Sequence, residues 1–153
     1  MTENCIAIDW GTTNRRAWVL DDRGAALREW RDDRGVLAMA GDWAGSLAEL
    51  RHRLGDLPAI AAGMVGSSRG WVEAPYVELP AGPADLAANL VDVPGQRLHI
   101  VPGLCRRHQP GCASTYDDYI PLILLTHNDI SCRPGLPAGA IVTGGATGIT
   151  PAV

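Results

Sequence analysis

The sequence predicts an α/β domain with a mixed sheet, in which three antiparallel strands precede strands joined through helices. Three observations predict it. Short apolar runs recur within the first 31 residues, separated by turns that carry glycine and aspartate. An amphipathic period of three and four follows at residues 43–54. Short apolar runs ending in glycine or proline come after it, with a second helical stretch between them. Hairpin-spaced strands pair antiparallel, whereas strands separated by a helix pair parallel.

Residues 4–10 read as the first strand and 15–21 as its antiparallel partner. Asp21-Asp-Arg-Gly24 is a turn, 25–31 a third strand, and Asp32-Asp-Arg-Gly35 another turn. Trp43, Leu47, Leu50 and Leu54 mark a helix capped by Asp42 and ended near Gly55. Ala59-Ile-Ala-Ala-Gly-Met-Val65 is a buried strand, followed by a loop over 66–76. Residues 83–91 form a short helix after Pro83, and Leu98-His-Ile-Val101 a strand stopped by Pro102-Gly103. Beyond about residue 105 the chain turns rich in proline and glycine, with one apolar run, Ile120-Pro-Leu-Ile-Leu-Leu125. Residues 1–105 are therefore read as a domain and 106–153 as a divergent tail.

The 153 residues suffice for one domain with a real core. A net charge of −4 gives no reason to expect nucleic acid or an anionic membrane as partner. No apolar run is long enough for a membrane helix, and Met1-Thr-Glu-Asn lacks a signal peptide's basic region, so the cytoplasm is expected. The chain holds no lysine, which excludes a Walker-type phosphate loop. The cysteines Cys5, Cys105, Cys112 and Cys132 form no Cys-x-x-Cys pair. Cys105-x-x-His108-x-x-x-Cys112 has metal-like spacing, but Arg106 and Arg107 oppose a cation and free thiols are expected.

The chemistry concentrates in Ile6-Ala-Ile-Asp9-Trp-Gly11-Thr12-Thr13-Asn14 and the following Arg15-Arg16-Ala-Trp18. A strand delivers a carboxylate to its end, and a glycine with two threonines makes the turn. Glycine admits a phosphate close to the backbone, and the hydroxyls of Thr12 and Thr13 can donate to phosphoryl oxygens. Asp9 can hold Mg²⁺ directly or through water. Arg16 lies two residues past the turn and can reach a phosphate or an acidic substrate. The bland alternative is that these residues simply make a hairpin turn.

This run resembles the N-terminal phosphate motif of the 2-dehydro-3-deoxygalactonokinases, sugar-acid kinases of the actin/hexokinase/Hsp70 ATPase superfamily. Two further blocks are similar and in the same order. One is Ala62-Gly63-Met64-Val65-Gly66-Ser67 with Gly70-Trp71 and Ala74-Pro75-Tyr76; the other is Ile100-Val-Pro-Gly-Leu104. The resemblance covers roughly residues 4–105. It implies two ribonuclease H-like domains with ATP and the sugar acid between them, this chain matching the first half of that actin-like fold. It implies that Asp9 sits near the Mg²⁺ of ATP, with Gly11, Thr12 and Thr13 lining the phosphate site and Asn14 and Arg16 beside them. The segment containing Met64, Gly66, Ser67, Trp71, Pro75 and Tyr76 would face the sugar acid. For that segment a surface excursion with one packed aromatic, Trp71, is the competing account. Arg69 could hold the substrate carboxylate or merely pair with Glu73 on the surface.

The implied reaction is ATP-dependent phosphorylation of 2-dehydro-3-deoxy-D-galactonate at its 6-hydroxyl. The alternative is a catalytically inactive fragment or nucleotide-binding module. The acidic segment that follows in the family has no counterpart here, and the second domain is unmatched. A truncated or frameshifted kinase is therefore expected, with the other half or a second copy of the chain as partner. No general base can be assigned; Asp117 and Asp118 read as surface charges. Ala140-Ile-Val-Thr-Gly144-Gly-Ala-Thr-Gly148-Ile149 is similar to a dehydrogenase cofactor loop, but no helix follows it, so NAD is not expected.

Overall fold

A computed structural model describes residues 2–105. The tail, with His108, Cys112, Asp117, Asp118 and the glycine run 144–148, lies outside the described residues.

Three strands open the fold: β1 (Glu3–Trp10), β2 (Arg15–Asp21) and β3 (Ala26–Asp32), paired antiparallel in sequence. The turn between β2 and β3 is set by Asp21, whose Oδ1 accepts from the amides of Arg23 (2.9 Å) and Ala25 (2.8 Å). Gly24 supplies the positive φ, +84°, that this turn requires.

Helix α1 (Trp43–Leu54) follows. Its N-terminus is capped by Asp42, whose Oδ1 accepts from the Gly45 amide at 3.1 Å. It stops at Gly55, which takes φ +111°. Leu47, Leu50 and Leu54 form the buried stripe. Each such burial contributes roughly 1.5–3 kcal/mol.

The chain then enters β4 (Ala59–Gly63), parallel to β1. The expected strand over 59–65 is shorter than read: Met64–Gly66 is a 3₁₀ turn, because Gly63 at φ +101° turns the chain out of the sheet. β5 (Val77–Glu78) pairs with β8 (Leu104–Cys105) in a separate two-stranded sheet. Helix α2 (Pro83–Ala88) starts at a proline and is capped by Asp85, which accepts the Gly82 amide at 2.8 Å. It ends three residues before the expected limit at 91.

Val91 belongs instead to β6 (Val91–Val93), an edge strand antiparallel to β7 (Leu98–Ile100). Sequence analysis missed β6, since three residues carry too little alternation to register as a strand. Its hairpin is closed by Gly95 and Arg97, both at positive φ. β7 pairs parallel with β4, so the expected parallel relation holds for β1, β4 and β7, and the last strand brings an antiparallel companion.

The main sheet runs in the order β3-β2-β1-β4-β7-β6. Alternation along β1 divides its side chains between two faces. Ile6, Ile8 and Trp10 join Leu47, Leu50, Leu54, Ala61 and Ile100 in the larger core, under α1. Cys5 and Ala7 join Leu20, Ile60, Ala62, Val101 and the α2 residue Leu86 in a smaller core on the opposite face. The helices thus cover opposite faces, and the short one covers the face to which Asp9 belongs.

Candidate functional site

Because β1 and β4 are parallel, their carboxyl ends lie side by side, and the chain leaves both through glycine-bearing turns. Such an end of an open α/β sheet is where ligands bind. Asp9 is the penultimate residue of β1 and is 6% exposed. It stands opposite Arg16 on β2 and Ala62 on β4. A side chain at Gly63 would place its Cβ 2.9 Å from the Trp10 carbonyl oxygen and 3.5 Å from Asp9 Oδ1. Glycine at 63 therefore lets β4 end close against the Trp10 carbonyl and the Asp9 carboxylate, as well as permitting φ +101°.

The turn after β1 is fully specified by backbone bonds. The Gly11 amide donates to the Asn14 carbonyl at 2.9 Å. The carbonyls of Gly11, Thr12 and Thr13 accept from the amides of Val36 (2.8 Å), Leu37 (3.0 Å) and Gly35 (3.1 Å). Thr12, Thr13 and Asn14 are exposed, and Asn14 Nδ2 donates to Thr13 Oγ1 at 3.1 Å. Arg16 is half-buried and shares a face with Asp9. The structure thus gathers Asp9, Gly11, Thr12, Thr13, Asn14 and Arg16 at one end of the sheet, with Met64 and Gly66 following directly from neighbouring Gly63.

The neighbouring segment 64–76 folds back on its own start. Trp71 and Ala74 amides donate to the carbonyls of Val65 (2.8 Å) and Gly66 (2.9 Å), and Ser67 Oγ donates to the Met64 carbonyl at 2.7 Å. The Trp71 ring stacks on Trp43 at 6.0 Å and meets Trp10 edge-on at 6.4 Å. Trp10 lies on the α1 face, across the sheet from Asp9, so Trp71 anchors the segment to the core on that side. Pro75 and Tyr76 are exposed where the segment leads into β5.

Two features escaped sequence reasoning. One is the bracing segment 35–37, of which the sequence reading took only Gly35, as the end of the turn 32–35. The other is Arg15, on the face opposite Arg16 and 1% exposed. Its guanidinium binds Asp32 through two nitrogens (3.2 and 2.6 Å) and Ser46 through the third, and lies 5.0 Å over the Trp10 ring. Burial raises the Asp32 carboxyl's pKa; hydrogen bonds from Arg15 and Trp30, the Arg15 charge and the Arg34 amide outweigh it and hold the group below its ordinary value.

Among the described residues no three His, Cys, Asp or Glu side chains converge as a metal cluster. Asp9 alone suits Mg²⁺, which keeps several waters and binds through one or two carboxylates plus phosphate oxygens. It does not suit a structural zinc, which needs four protein ligands. No described helix is long and apolar enough to cross a membrane.

Comparison with known proteins identifies relatives of this chain. The family model of the 2-keto-3-deoxy-galactonokinases (DGOK) matches residues 9–116. The chain is similar to the 2-dehydro-3-deoxygalactonokinase of Escherichia coli (strain K12), 40% identical over 111 residues, covering 71% of this chain and 37% of that protein. A Rhizobium meliloti (strain 1021) protein bearing the same kinase name is 36% identical over 108 residues, covering 66% of this chain and 35% of its own length. A crystal structure of a Sinorhizobium meliloti protein described by that kinase name superposes with a TM-score of 0.62 at 34% identity, over 68% of this chain and 36% of the other. The chain thus spans little more than a third of the length of the relatives it matches.

Proposed function

Since the chain belongs to the 2-keto-3-deoxy-galactonokinase family, we propose that residues 1–105 form the first, actin-like domain of a sugar-acid kinase and carry the phosphate-facing side of its ATP site. The reaction is transfer of the γ-phosphoryl group of ATP to the 6-hydroxyl of 2-dehydro-3-deoxy-D-galactonate. The observation that carries this reading is the buried Asp9 beside a turn whose carbonyls are all engaged elsewhere.

In this reading Mg²⁺, when bound, neutralises charge on the transferring phosphoryl group. Asp9 would hold that Mg²⁺, directly or through water. The hydroxyls of Thr12 and Thr13 and the exposed backbone of the turn donate to phosphate oxygens, with Gly11 allowing close approach. Arg16, facing the same side as Asp9, balances the charge that gathers as the phosphoryl group moves; Asn14 holds Thr13 Oγ1 in place. Met64, Gly66, Ser67, Pro75 and Tyr76 contact the sugar acid together with the half-buried Trp71, whose stack on Trp43 holds the segment in place. Catalysis rests on positioning and electrostatics, as in phosphoryl transfer generally.

Calorimetry of the 153-residue chain with Mg-ATP, joined to a coupled assay for ADP formation with the sugar acid, tests the proposal. Mg-dependent nucleotide binding supports it, and sugar-acid-dependent ADP formation extends it to the full reaction. Binding without turnover favours the second reading, a catalytically inactive fragment or nucleotide-binding module. Absence of nucleotide binding overturns both.

A further inference from the structure

The segment 35–37 has a role that the sequence did not suggest. Its three consecutive amides donate to three consecutive carbonyls of the turn: Gly35 to Thr13, Val36 to Gly11 and Leu37 to Thr12, at 2.8–3.1 Å. The fourth carbonyl of the turn, Asn14, accepts from Gly11. All four carbonyl oxygens of residues 11–14 are therefore engaged inside the protein. Among the described residues no backbone carbonyl accepts from the amides of Thr12, Thr13 or Asn14.

A carbonyl oxygen turned toward a phosphate repels it, whereas a turn amide attracts it. Tying down every acceptor on one side leaves donors for the other. We infer that residues 35–37 are a positioning brace that fixes the turn in its anion-accepting orientation. Gly35 is the key position. Its φ of −72° and ψ of 179° are open to any residue, so its backbone torsions do not demand glycine. Space does: a Cβ there would stand 2.4 Å from the Thr13 carbonyl carbon and 2.5 Å from the Thr12 carbonyl carbon and oxygen. These are backbone atoms, which cannot swing aside as a flexible side chain can. Any side chain at 35 must push the turn and the brace apart. The inference that this affects ligand binding rests on the nucleotide reading given above; the brace itself does not.

The test uses the full 153-residue chain with Mg-ATP as probe. Gly35→Ala is expected to weaken Mg-ATP binding by about tenfold or more, the scale set by misplacing positioning groups by ~1 Å. Leu37→Pro removes one brace amide at a position whose side chain is 69% exposed, and is expected to act in the same direction. Gly82→Ala is the control, because Gly82 has negative φ and its nearest neighbour would be 3.8 Å from a Cβ. It is expected to change affinity less than about twofold. Hydrogen exchange at the amides of Gly11 and Val36, which the turn and brace bonds hold, is read in parallel without nucleotide. Both brace variants are expected to speed it while the amides of β1 and β4 stay protected. Wild-type exchange at the turn in both variants overturns the brace, whether or not nucleotide binds. Faster exchange with unchanged affinity overturns its role in binding. Failure of the wild-type chain to bind Mg-ATP overturns the nucleotide reading and leaves the exchange result to decide the brace.

Discussion

Arg15 and Arg16 are adjacent in sequence and serve opposite faces of one strand. Arg15 points to the α1 side, where Asp32, Ser46 and the Trp10 ring consume its whole guanidinium. Arg16 shares the face of Asp9. Asp9→Asn keeps the shape of the side chain and removes its charge. It is expected to abolish the magnesium dependence of nucleotide binding while leaving the thermal unfolding transition cooperative. Equal magnesium-dependent affinity in calorimetry would remove Asp9 from the site. Asp32 makes a different prediction. Its pKa is lowered in the folded protein, so its contribution to stability is complete above the unfolded value near 3.8. It is lost as pH falls through the lower folded value. Asp32→Asn should cost about 1–3 kcal/mol at neutral pH. In denaturant titrations the gap between wild type and variant should close as the pH drops below 4. A gap independent of pH would mean that the carboxylate's charge is not what matters. The sequence singled out Arg16 and passed over Arg15, because alternation assigns two neighbours to different faces without saying which face holds a counter-ion.

Elements were legible in proportion to the strength of their local signals. Helix α1 has its limits where the residues put them, since a capping aspartate, an apolar stripe and a terminal glycine agree. The first hairpins were legible for the same reason: Asp21 and Gly24 dictate their turn wherever it occurs. β6 was not legible, because its existence depends on β7 and on the turn through Gly95 rather than on its own three residues. The end of β4 was misread by two residues, because Met64 and Val65 are apolar enough to extend a strand and only the torsion at Gly63 forbids it. The brace was invisible for a similar reason: its partner is a turn more than twenty positions away. Stability follows the legible elements. Leu50→Ala on α1 empties a fully buried site in the larger core. It should cost roughly 2–5 kcal/mol in a denaturant titration. A loss under about 1 kcal/mol would mean that α1 is only loosely docked on the sheet.

The whole domain is polarised end to end. The turns 11–14, 33–42 and 64–76 leave the end of the sheet where β1, β3 and β4 finish; the turns 22–25 and 94–97 lie at the other. Both ends carry arginine, so charge alone does not say which attracts a phosphate. The far end holds Arg23, Arg28, Arg51 and Arg97; Arg23 is exposed in the turn 22–25, and the other three are engaged. Arg28 binds Glu3 and the Leu54 carbonyl, Arg51 the carbonyls of Leu57 and Arg97, and Arg97 the Asp56 carboxylate. Arg51 is also held below its usual pKa by burial and by the neighbouring Arg97 charge. At the near end the amides of residues 12–14 have no backbone acceptor among the described residues, and the proposed metal-facing carboxylate of Asp9 lies beside them. Mg-ATP should therefore slow hydrogen exchange at residues 11–14 and 63–67 and leave 22–25 and 94–97 unchanged. Inorganic phosphate without magnesium should leave a weaker footprint at the same end, because Asp9 repels an anion that brings no cation. Protection at 22–25 or 94–97 instead would mean that loose positive charge, rather than the turn after β1, draws the nucleotide. The polarity inferred from the arrangement of the strands would then be wrong.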